Sequence, residues 1–152
     1  MTYYTIVPPP SLRAYVRFFW VLECNEPYCH RSMADGCAEM VFHYKGLFNE
    51  VTIPSHVERS FAAGLHGPAK NFRRFSIDQS FGIFGVYLYP FAIPQLFSMP
   101  ASELSDLSPD LPSIFGNEGS ELEEKIMLAG NNPQRVAIIT SFDLFIRFIR
   151  FE

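Results

Sequence analysis

Residues 81–97, FGIFGVYLYPFAIPQLF, constrain the fold more than any other stretch. In an extended chain, Phe81, Ile83, Gly85, Tyr87 and Tyr89 share one face, and Gly82, Phe84, Val86 and Leu88 share the other. Both faces are mostly apolar, so the stretch reads as a central strand with material packed on each side. Pro90 donates no hydrogen bond to a ladder and should end the strand. Ile93, Leu96 and Phe97 then recur at helical spacing, with Pro94 in the first turn of a short helix.

Upstream of this strand the signals are β. Residues 1–7 suit an edge strand, and Pro8, Pro9 and Pro10 force an extended segment. Ser11 is placed to cap a short helix carrying Leu12, Tyr15 and Val16. Strands are expected at residues 18–23, 39–44, 51–53, 61–65 and 71–77. Met40, Phe42 and Tyr44 share a face in the second of these. Residues 24–36 read as a loop or irregular hairpin with an Asp35-Gly36 turn.

Downstream the period changes. Residues 110–115 suit one helical turn ended by Gly116. Ser120 and Glu123 form a capping-box pattern, and Gly130 closes that helix. Asn132 and Pro133 are expected as N-cap and first residue of a final helix over 134–151. Strands first and helices last predict an α+β fold. Its antiparallel, curved or barrel-like sheet fills the N-terminal two-thirds, and a helical C-terminal part follows. With 152 residues this is a single domain over 1–152, mainly β to residue 89 and mainly α from residue 90.

The last helix carries Ile138, Phe142, Phe145 and Ile149 at steps of 4, 3 and 4, a heptad-like seam. It reads either as packing on its own sheet or as the interface of a homodimer. A helix apolar on nearly every side must be covered.

Net charge is −4, with no run of Lys or Arg, which argues against nucleic-acid binding through this chain. No apolar run is long enough to span a membrane, and the N-terminus lacks the pattern of a signal peptide. Three cysteines, an odd number, suit a reducing cytoplasm rather than a disulfide framework.

Candidate chemistry is sparse. Cys24, Cys29, His30 and Cys37 lack the two tight pairs of a zinc site and read as ordinary reduced side chains. His43 and His66 lack the His-x-His of a cupin metal centre and read as surface or hydrogen-bonded core histidines. Glu118, Glu121, Glu123 and Glu124 are a solvated helix face. No nucleophile elbow or phosphate-binding glycine pattern occurs. No catalytic residue, metal or cofactor is therefore expected, and the chain is not read as an enzyme. The strand aromatics Trp20, Phe42, Tyr44, Tyr87 and Tyr89 either fill the core or line an apolar cavity for a small molecule.

The order of short motifs resembles one family. Pro10, Leu12, Tyr15-Val16 and Phe19-Trp20 match P-x-L-x-x-Y-V-x-x-F/Y-W. Asp35-Gly36-Cys37 with Glu39-Met40-Val41-Phe42 resembles P-D-G-x-x-E-L-V-F. Gly85-Val86, Tyr89-Pro90, Leu96-Phe97, Pro100 and Glu103-Leu104 resemble G-V-R-F-x-P-x-G … P-x-x-E-L. The set is similar to the N-terminal sensor region of AraC-family transcription regulators. Ala34 stands where that family often has Pro, and Tyr87 where Arg is common. The resemblance implies an effector-sensing, dimerising domain of a bacterial cytoplasmic regulator, with an unidentified small-molecule effector as its ligand. It also implies that the parent protein binds DNA through a C-terminal helix-turn-helix domain that is absent from this chain. Two other readings stand beside it. One is a standalone small-ligand binding or cupin-like enzyme domain; the other is a dimerisation module with no pocket.

Overall fold

The computed structural model describes residues 1–32, 37–52, 56–59, 61–68, 73–97, 100–105 and 107–142. Phe81–Leu88, the strand β9, lies at the centre of a five-stranded antiparallel sheet. The other strands are β1 (Thr2–Ile6), β2 (Val16–Cys24), β4 (Ala38–Lys45) and β7 (Ala63–His66), in the order β1-β2-β9-β4-β7. A second antiparallel sheet joins β3 (Tyr28–Ser32), β8 (Arg73–Ile77), β5 (Asn49–Thr52) and β6 (His56–Arg59), in the order β3-β8-β5-β6. The architecture is α+β, with the sheets first and helices after them. The five-stranded sheet is curved but open, with β1 and β7 at its edges.

Its central strand is buried on both faces, as continuous apolar alternation requires. One face packs on the helices. There Phe19, Phe42, Phe84, Val86 and Leu88 meet Ile93, Leu111, Leu122, Ile126 and Ile139. Each such buried side chain contributes roughly 1.5–3 kcal/mol relative to exposure. The opposite face carries a smaller cluster of Val41, Phe48, Ile77, Phe81 and Ile83, against which Trp20, Leu22 and Phe75 pack half-buried. Helices, five-stranded sheet and four-stranded sheet thus form three layers. Register shifts at Val16/Phe18 in β2 and His43/Lys45 in β4 bend the middle layer.

Two glycines of β9 allow rings from neighbouring strands to lie flat on it. A Cβ at Gly85 would overlap the Trp20 indole, and one at Gly82 would overlap the Tyr44 ring. Trp20 lies on the face toward the second sheet and Tyr44 on the face toward the helices.

Four α-helices are described: α1 (Ala92–Phe97), α2 (Leu111–Phe115), α3 (Asn117–Leu128) and α4 (Asn132–Thr140). Asp110 caps α2 by accepting from the Ser113 N–H at 2.8 Å. Arg135, only 6% exposed, ties α3 and α4 to the sheet. Its guanidinium donates to the Ile126 and Ala129 carbonyls, each at 3.1 Å, and to Asn132 Oδ1 at 2.7 Å. The same group stands 3.8 Å above the centre of the Tyr44 ring. The Tyr44 hydroxyl in turn donates to Glu23, and Asn132 Nδ2 donates to the Tyr4 hydroxyl at 2.7 Å.

Several expectations need correction. The segment after the prolines forms only a 3₁₀ turn, Pro10–Leu12, with no side-chain cap from Ser11, because Val16 already pairs with Leu88. Residues 28–32, expected within a loop or irregular hairpin, form a strand that pairs with β8. β6 carried no legible sequence signal. Ser120 does not start its helix: α3 begins at Asn117, directly after Gly116 at φ 61°. The cap of α4 is Asn131, which accepts from Gln134 N–H at 2.9 Å, one residue earlier than expected. α4 ends at Thr140, and Phe142 lies beyond it outside helix, so the expected continuous helix is interrupted there. Residues 143–151 of that expectation, and the Asp35-Gly36 turn, lie outside the described residues.

Candidate ligand site

Strand alternation dictates what faces the space between the two sheets. Phe18, Trp20 and Leu22 of β2, Glu39, Val41 and His43 of β4, and Ile83 and Tyr87 of β9 all point the same way, and all line a cleft of about 430 Å³. Tyr28, Arg73 and Phe75 of the second sheet form the opposite wall, with Phe48 from the turn after β4. Met1 and Tyr3 border the cleft beside β2, and Cys37, His66 and Gly67 border it beside β4 and β7. A volume of this size, mainly apolar walls and a few polar groups are the usual make-up of a small-molecule site.

Phe18 and Tyr87 are direct cross-strand partners and stack with ring centres 4.8 Å apart and planes 3° from parallel. The Arg17 guanidinium stands 6.0 and 5.9 Å from the two ring centres. At another part of the cleft Arg73 is anchored by Glu50. Nε donates to Oε1 at 2.6 Å and Nη2 to Oε2 at 2.7 Å, a bidentate pair. Nη1 donates to the Ser108 hydroxyl and lies 3.3 Å from His66 Nδ1, which is also 3.0 Å from Ser108 Oγ. Burial, then the neighbouring Arg73 charge and His43, pull the His66 pKa down to about 3. Burial alone pulls His43 down to about 4. Both imidazoles are neutral at pH 7. Burial, and then the Glu39 carboxylate, raise the Tyr3 phenol.

Among the described residues, two buried side-chain polar atoms have no hydrogen-bond partner, Trp20 Nε1 and His43 Nδ1. Both residues line the cleft. A buried polar atom left unpaired costs about 1–3 kcal/mol; neither atom presents surface to the cleft, and Trp20 Nε1 packs on Gly85.

Of the aromatics singled out from sequence, the structure brings Trp20 and Tyr87 together in the cleft. Phe42 is fully buried on the other face, against Phe84. Tyr44 also faces the helices, under Arg135. Tyr89 lies past the end of β9 and stacks on Phe91. The remaining cleft residues escaped notice. From sequence, His43 and His66 read as surface or hydrogen-bonded core histidines rather than metal ligands, and Glu39 as part of a motif. A signal existed: Glu39 and His43 recur on one face of a strand whose other face, Met40 and Phe42, is wholly apolar.

Of the seam residues, Ile138 is half-buried, and Phe142 is buried edge-on against Phe115, with centres 5.5 Å apart. Phe145 and Ile149 lie outside the described residues. No group of three His, Cys, Asp or Glu among the described residues is arranged to hold a metal ion. Cys24, Cys29 and Cys37 are not joined in disulfides. No helix among the described residues is long and apolar enough to cross a membrane.

Comparison with known proteins gives one match by sequence. A family described as "Domain of unknown function (DUF6597)" matches residues 4–110. No curated protein matches. Solved structures similar to the chain include three from transcription regulators. The cupin domain of an XRE-family regulator from Enterobacter cloacae is 10% identical, with 59% of this chain and 96% of that one covered and a TM-score of 0.37. ToxT from Vibrio cholerae is 10% identical, with 98% and 58% covered and a TM-score of 0.45. The AraC-like transcriptional activator CuxR is 13% identical, with 87% and 52% covered and a TM-score of 0.39. The chain therefore spans little more than half the length of the latter two.

Proposed function

We propose a sensory role for this chain, which belongs to the family described as a domain of unknown function (DUF6597). In this reading it is the effector-binding and dimerising domain of an AraC-like transcription regulator, and the cleft between its sheets receives a small molecule. The observation that carries the reading is the cleft itself: about 430 Å³, walled by aromatics, with a few polar side chains among them. The ordered motifs support it. Glu39 to Phe42 form the middle of β4, Tyr89-Pro90 ends β9, and Leu96-Phe97 ends α1. The helical layer packs on the opposite face of the strands that line the cleft, so ligand binding and helix position share one sheet. An effector shifts such a domain only by its differential affinity for two arrangements.

Binding, not catalysis, is the activity proposed, and the DNA contact belongs to a further domain of the parent protein. A metabolite screen by thermal shift tests the reading. A ligand at 100 times its Kd stabilises the fold by about 2.7 kcal/mol, and Leu22→Trp, which fills the cleft, should abolish that shift. Failure of every compound, or a shift indifferent to Leu22→Trp, would refute it. Sedimentation of the purified chain checks the dimer, with a monomer at ~100 µM counting against it. A gel shift on duplex DNA at ~100 mM salt should be negative.

A further inference from the structure

Resting on the dimerising role proposed above, we infer that two copies of the chain pair through the outer edges of their β1 strands, antiparallel about a twofold axis at Tyr4. A sheet edge is a template for another chain unless it is covered or charged. Among the described residues, three of the four edges are managed in this way. β7 is covered by residues 107–110. Leu65 N–H donates to the Pro109 carbonyl at 2.9 Å, Gly67 N–H to the Leu107 carbonyl at 3.0 Å, and Gly64 bridges Asp110. At the outer edges of the second sheet, β3 carries Arg31, and β6 carries Glu58 and Arg59. β1 has neither device. No described residue hydrogen-bonds the outer side of its backbone, and its sequence TYYTI holds no charge. The first charged side chain in the sequence is Arg13.

Exposure marks the same strand. Thr2, Tyr3, Tyr4 and Thr5 are all exposed. Of the eight large apolar side chains exposed among the described residues, Met1, Tyr3, Tyr4 and Val7 fall within the first seven positions. Such a concentration of apolar surface marks a contact site. The occupant is a second copy because the strand complements itself. A twofold axis through Tyr4, perpendicular to the sheet, sets Tyr4 opposite the partner's Tyr4, Tyr3 opposite the partner's Thr5 and Thr2 opposite the partner's Ile6. All five residues then pair, with about four to six hydrogen bonds between the copies. The net charge of −4 makes copies repel where charged faces meet, and this uncharged edge avoids that. The two five-stranded sheets become one, with both helical layers on one face and both clefts on the other. Tyr3 borders the cleft and the contact alike, so a ligand in the cleft lies beside the junction. A five-residue ladder gives an interface smaller than the ~1,200 Å² of standard complexes, so the Kd should be on the order of 10 µM.

The test is sedimentation of the full chain, free of any purification handle, from ~1 to ~100 µM, a range that brackets the expected Kd. Wild type should pass from monomer to dimer. Tyr3→Lys/Thr5→Lys sets like charges opposite each other at two points across the axis and should weaken association roughly tenfold or more. Tyr3→Lys/Thr5→Glu sets opposite charges at the same two points and should associate roughly tenfold tighter than the first variant. A ladder slipped by two residues would bring like charges face to face in that second variant, so recovery belongs to the register centred on Tyr4. If either variant does not fold, hydrogen exchange of the wild type decides. The outward-facing amides of residues 2–6 should exchange more slowly at ~100 µM than at ~1 µM, and equal rates overturn the contact. A wild-type dimer indifferent to the first variant, or not recovered by the second, overturns the β1 contact and leaves the dimerising role standing. A wild type that stays monomeric at ~100 µM overturns both. Effector binding is judged separately, by the thermal-shift screen.

Discussion

Replacing Arg135 should test whether the helical layer is held to the sheet by one side chain. Its guanidinium serves three acceptors, Ile126 O, Ala129 O and Asn132 Oδ1, and covers the Tyr44 ring. Two of those acceptors are carbonyls at the C-terminal end of α3; beside Arg135, the Ile126 carbonyl accepts a long 3.4 Å bond from the Ala129 N–H. In Arg135→Met the apolar stem is kept and the fork is lost. Ala129 and Asn132 are partly exposed and can turn to water; Ile126 is buried and cannot. Loss of a hydrogen bond to a charged group costs about 1.5–3 kcal/mol, and loss of a desolvated cation over a ring costs about 1–2 kcal/mol. The expected destabilisation is therefore about 3 kcal/mol, less than the sum of three charged hydrogen bonds taken separately. With a urea m-value of about 2 kcal/mol/M, the midpoint should fall by about 1.5 M at unchanged m. Arg135→Lys should recover less than half, because an ammonium cannot reach three acceptors in a plane. A midpoint within about 0.25 M of wild type for Arg135→Met, a change of about 0.5 kcal/mol, would refute this account. So would full recovery by lysine.

Two further outcomes follow from buried groups. His43 titrates near 6.5 when unfolded and is pulled down to about 4 when folded. Between those values the unfolded chain binds the extra proton, so stability is complete above pH 6.5 and is lost as pH falls. From pH 7 to pH 5 the loss from His43 should be about 2 kcal/mol. Urea midpoints at the two pH values should show it, and His43→Gln should reduce the difference. Gly85→Ala should push the Trp20 indole off β9, destabilise the fold by about 1–3 kcal/mol, and shift tryptophan emission. Unchanged emission would show that the indole does not rest on Gly85.

Strand parity made the two faces of β4 and β9 legible, but not their destinations. Met40, Phe42 and Tyr44 were correctly grouped, as were Phe84, Val86 and Leu88. Nothing local says which group meets helices and which meets a second sheet, because both are apolar enough for either. That is why Phe42 and Tyr44 were chosen for the cavity while Val41 and His43, one residue away, line it. The place of Trp20 depends on its pairing with Gly85, 65 positions later, which no window of sequence contains. α3 is capped at Gly116 rather than Ser120 and α4 at Asn131 rather than Asn132, because neighbouring positions compete for each cap. β6, read off backbone pairing to β5, had no alternation to announce it.

The first strand has a practical bearing on any experiment with this protein. β1 is the edge strand beside β2, and Met1 and Tyr3 stand at the cleft with 74% and 58% of their surface exposed. A purification handle fused ahead of Met1 would hang across the entrance and obstruct small molecules trying to enter. Screening should use protein from which any such leader has been cleaved, or whose handle follows the last helix.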